Sequence, residues 1–420
     1  MTPARHLPRC VLQACISTVY PNDRREPTPT YAIPIPKRPR RTWWQTLHGT
    51  VFLLVFFAGC IMINAAQIVL LFPLKLLYYE GIRYTKGAFG ALLVLASQWF
   101  GPTKLIISFE TEGQGKFTRE EIERLVVRDS GGRVIALDLP RKTVVIGNHQ
   151  NSLKWMPILG WGMQFFNFIF LARSWASDRL QLAASLSWLA RRAEEEDSPL
   201  TFILYPEGTL VSKDTRPISK KYADKLGIPD MTNMLLPRST GLHYSLRALA
   251  PRIPSLQLLD ITMAYPGVPH LGYGQSYYTL RSIFCDRTPP PAVHMHLRKF
   301  DIARGDVPIG AVSVSAPAAS SSSSAHAHTN APEVELPEGE RDAFELWLRA
   351  LWREKDKQMD RYLESGFLSD AAATVAAEGG PCATAVVLPV RLRRAYEVLD
   401  AFCFFVPALV SWAWAKVAVR

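Results

Sequence analysis

Three short stretches carry residue types suited to proton transfer and anion binding. The first is "GNHQ", which places Asn148 and His149 directly after the apolar run "TVVI". The second is "FIFLARSW", an apolar run leading into Arg173. The third is "FILYPEGTLVSK", with Pro206, Glu207, Gly208 and Thr209 in a row and Lys213 shortly after. A histidine at a strand end stands where a general base would, within reach of a hydroxyl proton. Taken singly, such a histidine is more often structural, and Pro-Glu-Gly-Thr is a turn ahead of a helix start. Their occurrence in this order, on successive strands, is far more specific.

The elements that must position them show as an alternation. From Lys104 to Phe300, strand candidates are "KLIISF", "RVIAL", "TVVIG", "FIFL", "TFILY" and "LLDITMAY". They are rich in Val, Ile, Leu, Phe and Tyr and are bounded by Gly, Pro, Asn or Asp. Between "FIFL" and "TFILY", "SDRLQLAASLSWLARRAEEE" opens on capping residues and repeats its apolar residues at helical spacing. Strands alternating with helices predict an α/β domain over residues 104–300.

Ahead of that domain, Thr42 to Leu74 contain no Asp, Glu, Lys or Arg. The run "TVFLLVFFAGCIMINAAQIVLLF" suffices to cross a bilayer, which takes roughly 20 residues. It is too long and too far from the start for a cleaved signal, and a buried core helix is the alternative. "GAFGALLVLASQWFG", Gly87 to Gly101, is short for a span and reads as interfacial or re-entrant. Residues 42–103 are therefore read as a membrane-anchor region. Residues 1–41, rich in Pro and Arg, read as a disordered basic N-terminus. The net charge is +11, and residues 1–48 hold eight Arg or Lys against Asp23 and Glu26. Basic residues beside a span favour the cytoplasmic side and anionic lipid; an organelle-targeting segment is the alternative. Nucleic acid is disfavoured as a partner, because no recognition motif is present and the charges flank apolar segments. The six cysteines show no CxxC and no paired spacing, so reduced thiols and no metal site are expected.

Residues 301–339 read as a low-complexity linker, in which His326 and His328 are solvated. Residues 340–420 read as C-terminal helices. Phe344, Trp347, Leu348, Leu351, Trp352, Met359, Tyr362 and Leu363 recur at helical spacing and end at Gly366. This predicts a helix docked on the domain or on a membrane surface. A further candidate membrane segment spans 397–419, with Trp412 and Trp414 at headgroup depth.

With these motifs in order behind an apolar anchor, the chain resembles the glycerolipid acyltransferases. The likeness is to the branch of 1-acylglycerol-3-phosphate, lysocardiolipin and lysophosphatidylinositol acyltransferases. The family's first motif, Asn-His-x-x-x-x-Asp, is matched at Asn148 and His149, but Lys154 stands at the Asp place. Its second is matched by "FIFLARSW", its third by Pro206 to Thr209, and a fourth loosely by "LLDITMAYPGV". Leu210 occupies a position often held by Arg. "LPRSTGL" and "WREKDKQMDRYLESG" also look like the branch. The segment after Gln150 resembles sequence that the family carries well downstream. A deletion of roughly 30 residues, most of a βαβ unit, is therefore expected after Gln150, taking the motif Asp with it; a divergent but intact motif is the alternative.

The resemblance implies a membrane-anchored α/β acyltransferase that moves an acyl chain from acyl-CoA, its co-substrate, to a lysophospholipid hydroxyl. No cofactor is implied, and the expected place is the endoplasmic reticulum. His149 is the implied base, which the missing Asp would orient. Arg173, Pro206, Glu207, Gly208, Thr209 and Lys213 are the implied substrate-binding set. In it Gly208 admits close approach, Thr209 offers a hydroxyl, and Lys213 and Arg216 compensate for Leu210. Asp178 and Glu207 are the acids expected near His149. The alternatives are a catalytically impaired protein of the same fold and a lipid-binding scaffold using its basic N-terminus.

Overall fold

The computed structural model describes residues 28–71, 78–148, 175–311, 337–378, 384–404 and 414. Its main strands are β1 (Lys104–Phe109), β4 (Lys142–Gly147), β5 (Leu200–Leu204), β6 (Gln257–Ala264), β7 (Ala292–Asp301) and β8 (Ala385–Pro389). They form one sheet in the order β5-β4-β6-β7-β1-β8. β4 pairs in parallel with both β5 and β6, and β1 with β7. The β6–β7 and β1–β8 pairs are antiparallel. "RVIAL" does form a strand, β3 (Val134–Leu137), but among the described residues it pairs with β2 (Val126–Arg128) in a separate two-stranded sheet.

Two strands of the main sheet are missing from the sequence-based list, as is the short β2. β7 reads "AVHMHLRKFD", whose histidines and cations break the apolar pattern. β8 lies within the region read as C-terminal helices.

The helices are α1 (Trp43–Leu71), α2 (Tyr78–Phe100), α3 (Arg119–Leu125), α4 (Trp175–Glu195), α5 (Arg216–Leu226), α6 (Ser239–Leu249), α7 (Glu338–Ser365), α8 (Asp370–Glu378) and α9 (Glu397–Ala401). Successive residues of a strand face opposite sides. On one side, Val144, Ile146 and Leu258 pack with Leu186 of α4, Leu242 and Leu246 of α6, and Leu348 and Trp352 of α7. On the other, Leu259, Leu297 and Ile107 pack with Phe117 and Ile122 beside α3. Each such side chain contributes about 1.5–3 kcal/mol on full burial. The long helix read near the C-terminus is thus a wall of the α/β core. It ends at Gly366 in the left-handed region, φ +79°.

Ile302, Val307 and Ile309 belong to the same core, and the Arg247 guanidinium donates to Ile309 O at 2.7 Å. The range read as linker therefore begins as packed chain; residues 312–336 lie outside those described.

α1 is, among the described residues, the one helix long and apolar enough to cross a membrane. It is not exposed all round. Cys60, Ile63 and Ala66 pack on Ala88, Leu92 and Leu95 of α2, while Trp43, Trp44, Leu47, Leu54 and Ile61 face outward. Gly59 permits this approach, since a Cβ there would lie 2.7 Å from Leu92 Cδ1. The Gly87–Gly101 stretch falls in the C-terminal part of the 23-residue α2, so the helix is longer than the apolar run read from the sequence. Of the segment read at 397–419, α9 and residues 402–404 are described together with position 414.

Candidate active site

The first and third motifs sit at the ends of neighbouring parallel strands. β4 runs out through Gly147, paired with Ile261, and a Cβ on Gly147 would lie 3.2 Å from Ile261 O. Asn148 follows, buried, and its side chain continues the ladder. Its Nδ2 donates to Met263 O at 2.8 Å, and its Oδ1 accepts from Met263 N at 2.8 Å. A carboxamide supplies the donor and the acceptor side by side that this pairing uses. The chain is thereby fixed up to the residue before His149.

β5 ends in a turn in which Gly208 N donates to Tyr205 O at 3.0 Å. Proline at the second position suits this turn. Gly208 has φ +67°, where other residues are strained. Pro206 and Glu207 are buried, Gly208 is exposed and Thr209 half-buried. Arg238 N donates to Pro206 O at 2.8 Å. The Arg238 side chain lies against Gly208, its Cδ 3.8 Å from where a Cβ would stand.

The Glu207 carboxyl is 2% exposed and accepts from Trp352 Nε1 at 3.4 Å through Oε1. Oε2 has no hydrogen-bond partner among the described residues. Burial pushes its pKa up to about 8. The Trp352 N–H, the Lys355 charge, the Leu235 N–H and the Arg216 charge pull it the other way. Lys355 is fully buried one helical turn beyond Trp352, with Nζ 4.7 Å from that ring's centre. It donates to Asp260 and, at 2.8 Å, to Ile261 O. Asp260 also accepts from Arg298 Nε at 3.0 Å. Next to the positive charges, Asp260 stays below the ordinary carboxylate range despite its burial.

Asn148, Glu207, Leu210, Ala264, Met359 and Tyr362 line one cleft, whose lip is formed by residues 265–275. It lies outside the carboxyl ends of β4 and β6, where open α/β sheets bind ligands. The lip continues into the segment that seats α1 and α2. Arg38 Nη2 donates to Tyr277 O at 2.6 Å, and Gln45 Nε2 to Asp286 O at 2.9 Å. Phe52 stacks on Phe284 at 4.9 Å. The cleft therefore adjoins the foot of the apolar helix pair.

Of the sequence-predicted residues, the structure brings Asn148 and Glu207 to this one cleft, with Pro206, Gly208 and Thr209 in the adjoining turn. His149 and Arg173 lie outside the described residues, as does the expected junction after Gln150. Asp178 is in the first turn of α4. Lys213 is exposed in the turn before α5. Arg216 points its guanidinium at Met231 O, Thr232 O and Met234 O at 2.6–2.7 Å, so it clamps a loop rather than standing free for an anion.

Ser108, His296 and Glu110 form a hydrogen-bonded row, 2.9 Å and 3.3 Å, resembling a hydrolase triad in composition. Ser108 has no exposed surface and is no nucleophile for an external substrate. Among the described residues no His, Cys, Asp or Glu cluster is arranged to hold a metal ion.

Arg238, Trp352 and Lys355 were not singled out as site residues from the sequence. The signals were there: Arg238 lies within "LPRSTGL", and Lys355 continues the buried stripe of α7 at helical spacing.

Comparison with known proteins places this architecture. The chain is similar to a 2-acyl-1-lysophosphatidylinositol acyltransferase of Saccharomyces cerevisiae, 31% identical over 383 residues, covering 76% of this chain and 85% of that protein. It is 28% identical over 215 residues to lysocardiolipin acyltransferase 1 of Danio rerio, covering 51% of this chain and 44% of that one. The rat 1-acyl-sn-glycerol-3-phosphate acyltransferase delta is 26% identical over 222 residues, 50% of this chain and 57% of its own length. No family model and no solved structure matches. The ordered motifs, the sheet that carries them and the extent of these relationships have one reading: the chain is an acyltransferase and belongs to the glycerolipid acyltransferase family.

Proposed function

We propose that the chain transfers an acyl group from acyl-CoA to the free hydroxyl of a lysophospholipid, at the surface of an endomembrane such as the endoplasmic reticulum. Lysophosphatidylinositol, lysophosphatidic acid and lysocardiolipin are the substrate candidates, taken from what the relatives are named for. His149 takes the hydroxyl proton as the oxygen attacks the thioester carbonyl; the C–S bond breaks, and the imidazolium returns the proton so that coenzyme A leaves as the thiol. The turn at Gly208, with Thr209 and the guanidinium of Arg238 or Arg173, receives the phosphate. α1, with its exposed Trp43 and Trp44, anchors the cleft beside the lipid.

The observation that carries this reading is the shared cleft. Asn148, one residue before His149, and Glu207 of the third motif open onto the same space from adjacent parallel strands. The test is to incubate the chain in phospholipid vesicles with each labelled lysophospholipid and acyl-CoA. Stoichiometric product and thiol release are expected for at least one headgroup, and no thiol release with any of them contradicts the reading.

A second reading is favoured by one observation, Lys154 at the place of the motif Asp. It is a chain of reduced activity that has lost its orienting acid, and loss of such an acid lowers rate roughly 10⁴-fold in the hydrolase triads. Inserting a family-like segment of roughly 30 residues after Gln150 would then raise turnover by orders of magnitude. Equal turnover with and without the insert rejects this second reading.

A further inference from the structure

Helix α7 reaches the third motif from 145 residues away in sequence. Trp352 meets the Glu207 carboxyl, Lys355 lies beneath Trp352, and Asp260 with Arg298 closes the row, every member at most 5% exposed. Arg298 also donates to Leu351 O at 3.3 Å, tying the same turn of the helix to β7. Stability alone does not account for such a row. A buried ionic cluster is often matched or bettered by apolar residues of similar volume. Its placement is informative. Ile261 O, which accepts from Lys355, is the carbonyl against which Gly147 packs, one residue before Asn148. The row therefore touches the supports of both motifs.

We infer that Trp352 and Lys355 are positioning residues of the acyl-transfer site: Trp352 holds the Glu207 carboxyl by Oε1, with Lys355 bracing Trp352 from beneath, so that Oε2 faces the cleft. The inference rests on Glu207 serving that site, as the proposed function has it. The charges and donors facing Glu207 are the Trp352 N–H and Lys355 of α7, Arg216 of α5 and the Leu235 N–H; Asp260 and Arg298 stand behind Lys355.

Trp352→Phe removes one N–H and keeps the ring, and Lys355→Met removes the charge. Infrared titration of the full chain in vesicles reads the buried acid directly. A protonated-carboxyl band should titrate near pH 8 in the native chain and be absent in Glu207→Gln. It should move to higher pH by about one unit in Trp352→Phe, because the lost donor stabilised the carboxylate. Kinetics should show kcat lowered about tenfold with KM for acyl-CoA unchanged, and Trp352→Phe should add little to Glu207→Gln. Should Lys355→Met not fold, Trp352→Phe carries the test. An unmoved band, with native kcat, overturns the inference. Native kcat in Glu207→Gln overturns it together with the role of Glu207, whereas an inactive Glu207→Gln beside a native Trp352→Phe overturns the positioning role alone.

Discussion

Asn148 and Glu207 occupy equivalent places, each just past a parallel strand and each on the cleft, yet they are held in opposite ways. Asn148 is neutral, and both ends of its carboxamide are bonded to the backbone of Met263. Glu207 is ionisable, has one long hydrogen bond to a side chain, and leaves Oε2 unbonded among the described residues. The first arrangement fixes a backbone; a neutral, fully paired amide has nothing to titrate. The second holds a carboxyl whose pKa burial pushes up to about 8 against the pull of nearby donors and cations. Rigid support and adjustable chemistry are thus separated between two motifs of one site.

The largest expected effect comes from removing what lies behind Glu207. Asp260→Ala leaves Lys355 and Arg298 buried without their carboxylate, which costs about 3–5 kcal/mol. Thermal unfolding in detergent should show this as a chain that barely folds. A near-native melting temperature would mean that the row does not hold the wall together.

His294 on β7 sharpens the contrast, because it is fully buried and neither ring nitrogen has a hydrogen-bond partner among the described residues. It lies against Tyr362, which lines the cleft. Burial, and secondarily the charge of Lys104, pushes its pKa down to about 4. Between the ordinary value of 6.5 and about 4, the unfolded chain binds a proton that the folded chain does not. Stability should therefore be full above pH 6.5 and fall by roughly 3 kcal/mol as pH drops to 4. His294→Leu should flatten that slope, read as melting temperature against pH; an unchanged slope would assign it elsewhere.

Asn148→Ala tests the rigid side. It leaves Met263 N–H and C=O unpaired and should cost about 2–3 kcal/mol, visible in denaturant unfolding. The effect should not vary with pH, unlike those at Glu207 and His294. A strongly pH-dependent loss would merge the two motifs into one electrostatic unit. The smallest effect is expected at Arg238, which meets solvent beside Gly208. Arg238→Ala should raise KM for the lysophospholipid about tenfold, with kcat held, as for a phosphate contact made equally in ground and transition states. An unaltered KM would remove Arg238 from the headgroup site.

What the sequence disclosed follows the same division. β1, β4, β5 and β6 were legible because their runs are apolar and bounded by breakers, and α7 because its stripe recurs at helical spacing. β7 was not, because His294, His296 and Arg298 make it read as polar. Each is buried, the last two through Glu110 and Asp260, partners remote in sequence. The motif residues Asn148 and Glu207 could be named from spacing, but not the groups that support them. Met263, Trp352 and Lys355 reach them through tertiary pairing, which leaves no local signature beyond a lone Asp in an apolar strand and a lone Lys in an apolar stripe.

The account turns on one site shared by the two motifs, and one measurement addresses it most directly. Acyl-CoA-dependent acylation of labelled lysophosphatidylinositol, lysophosphatidic acid and lysocardiolipin is followed in vesicles for the native chain, His149→Ala and Glu207→Gln, each with and without a segment restored after Gln150. The account predicts product from the native pair, none above background from His149→Ala, and at least a tenfold lower kcat from Glu207→Gln. Product formed at the native rate by either variant would contradict it.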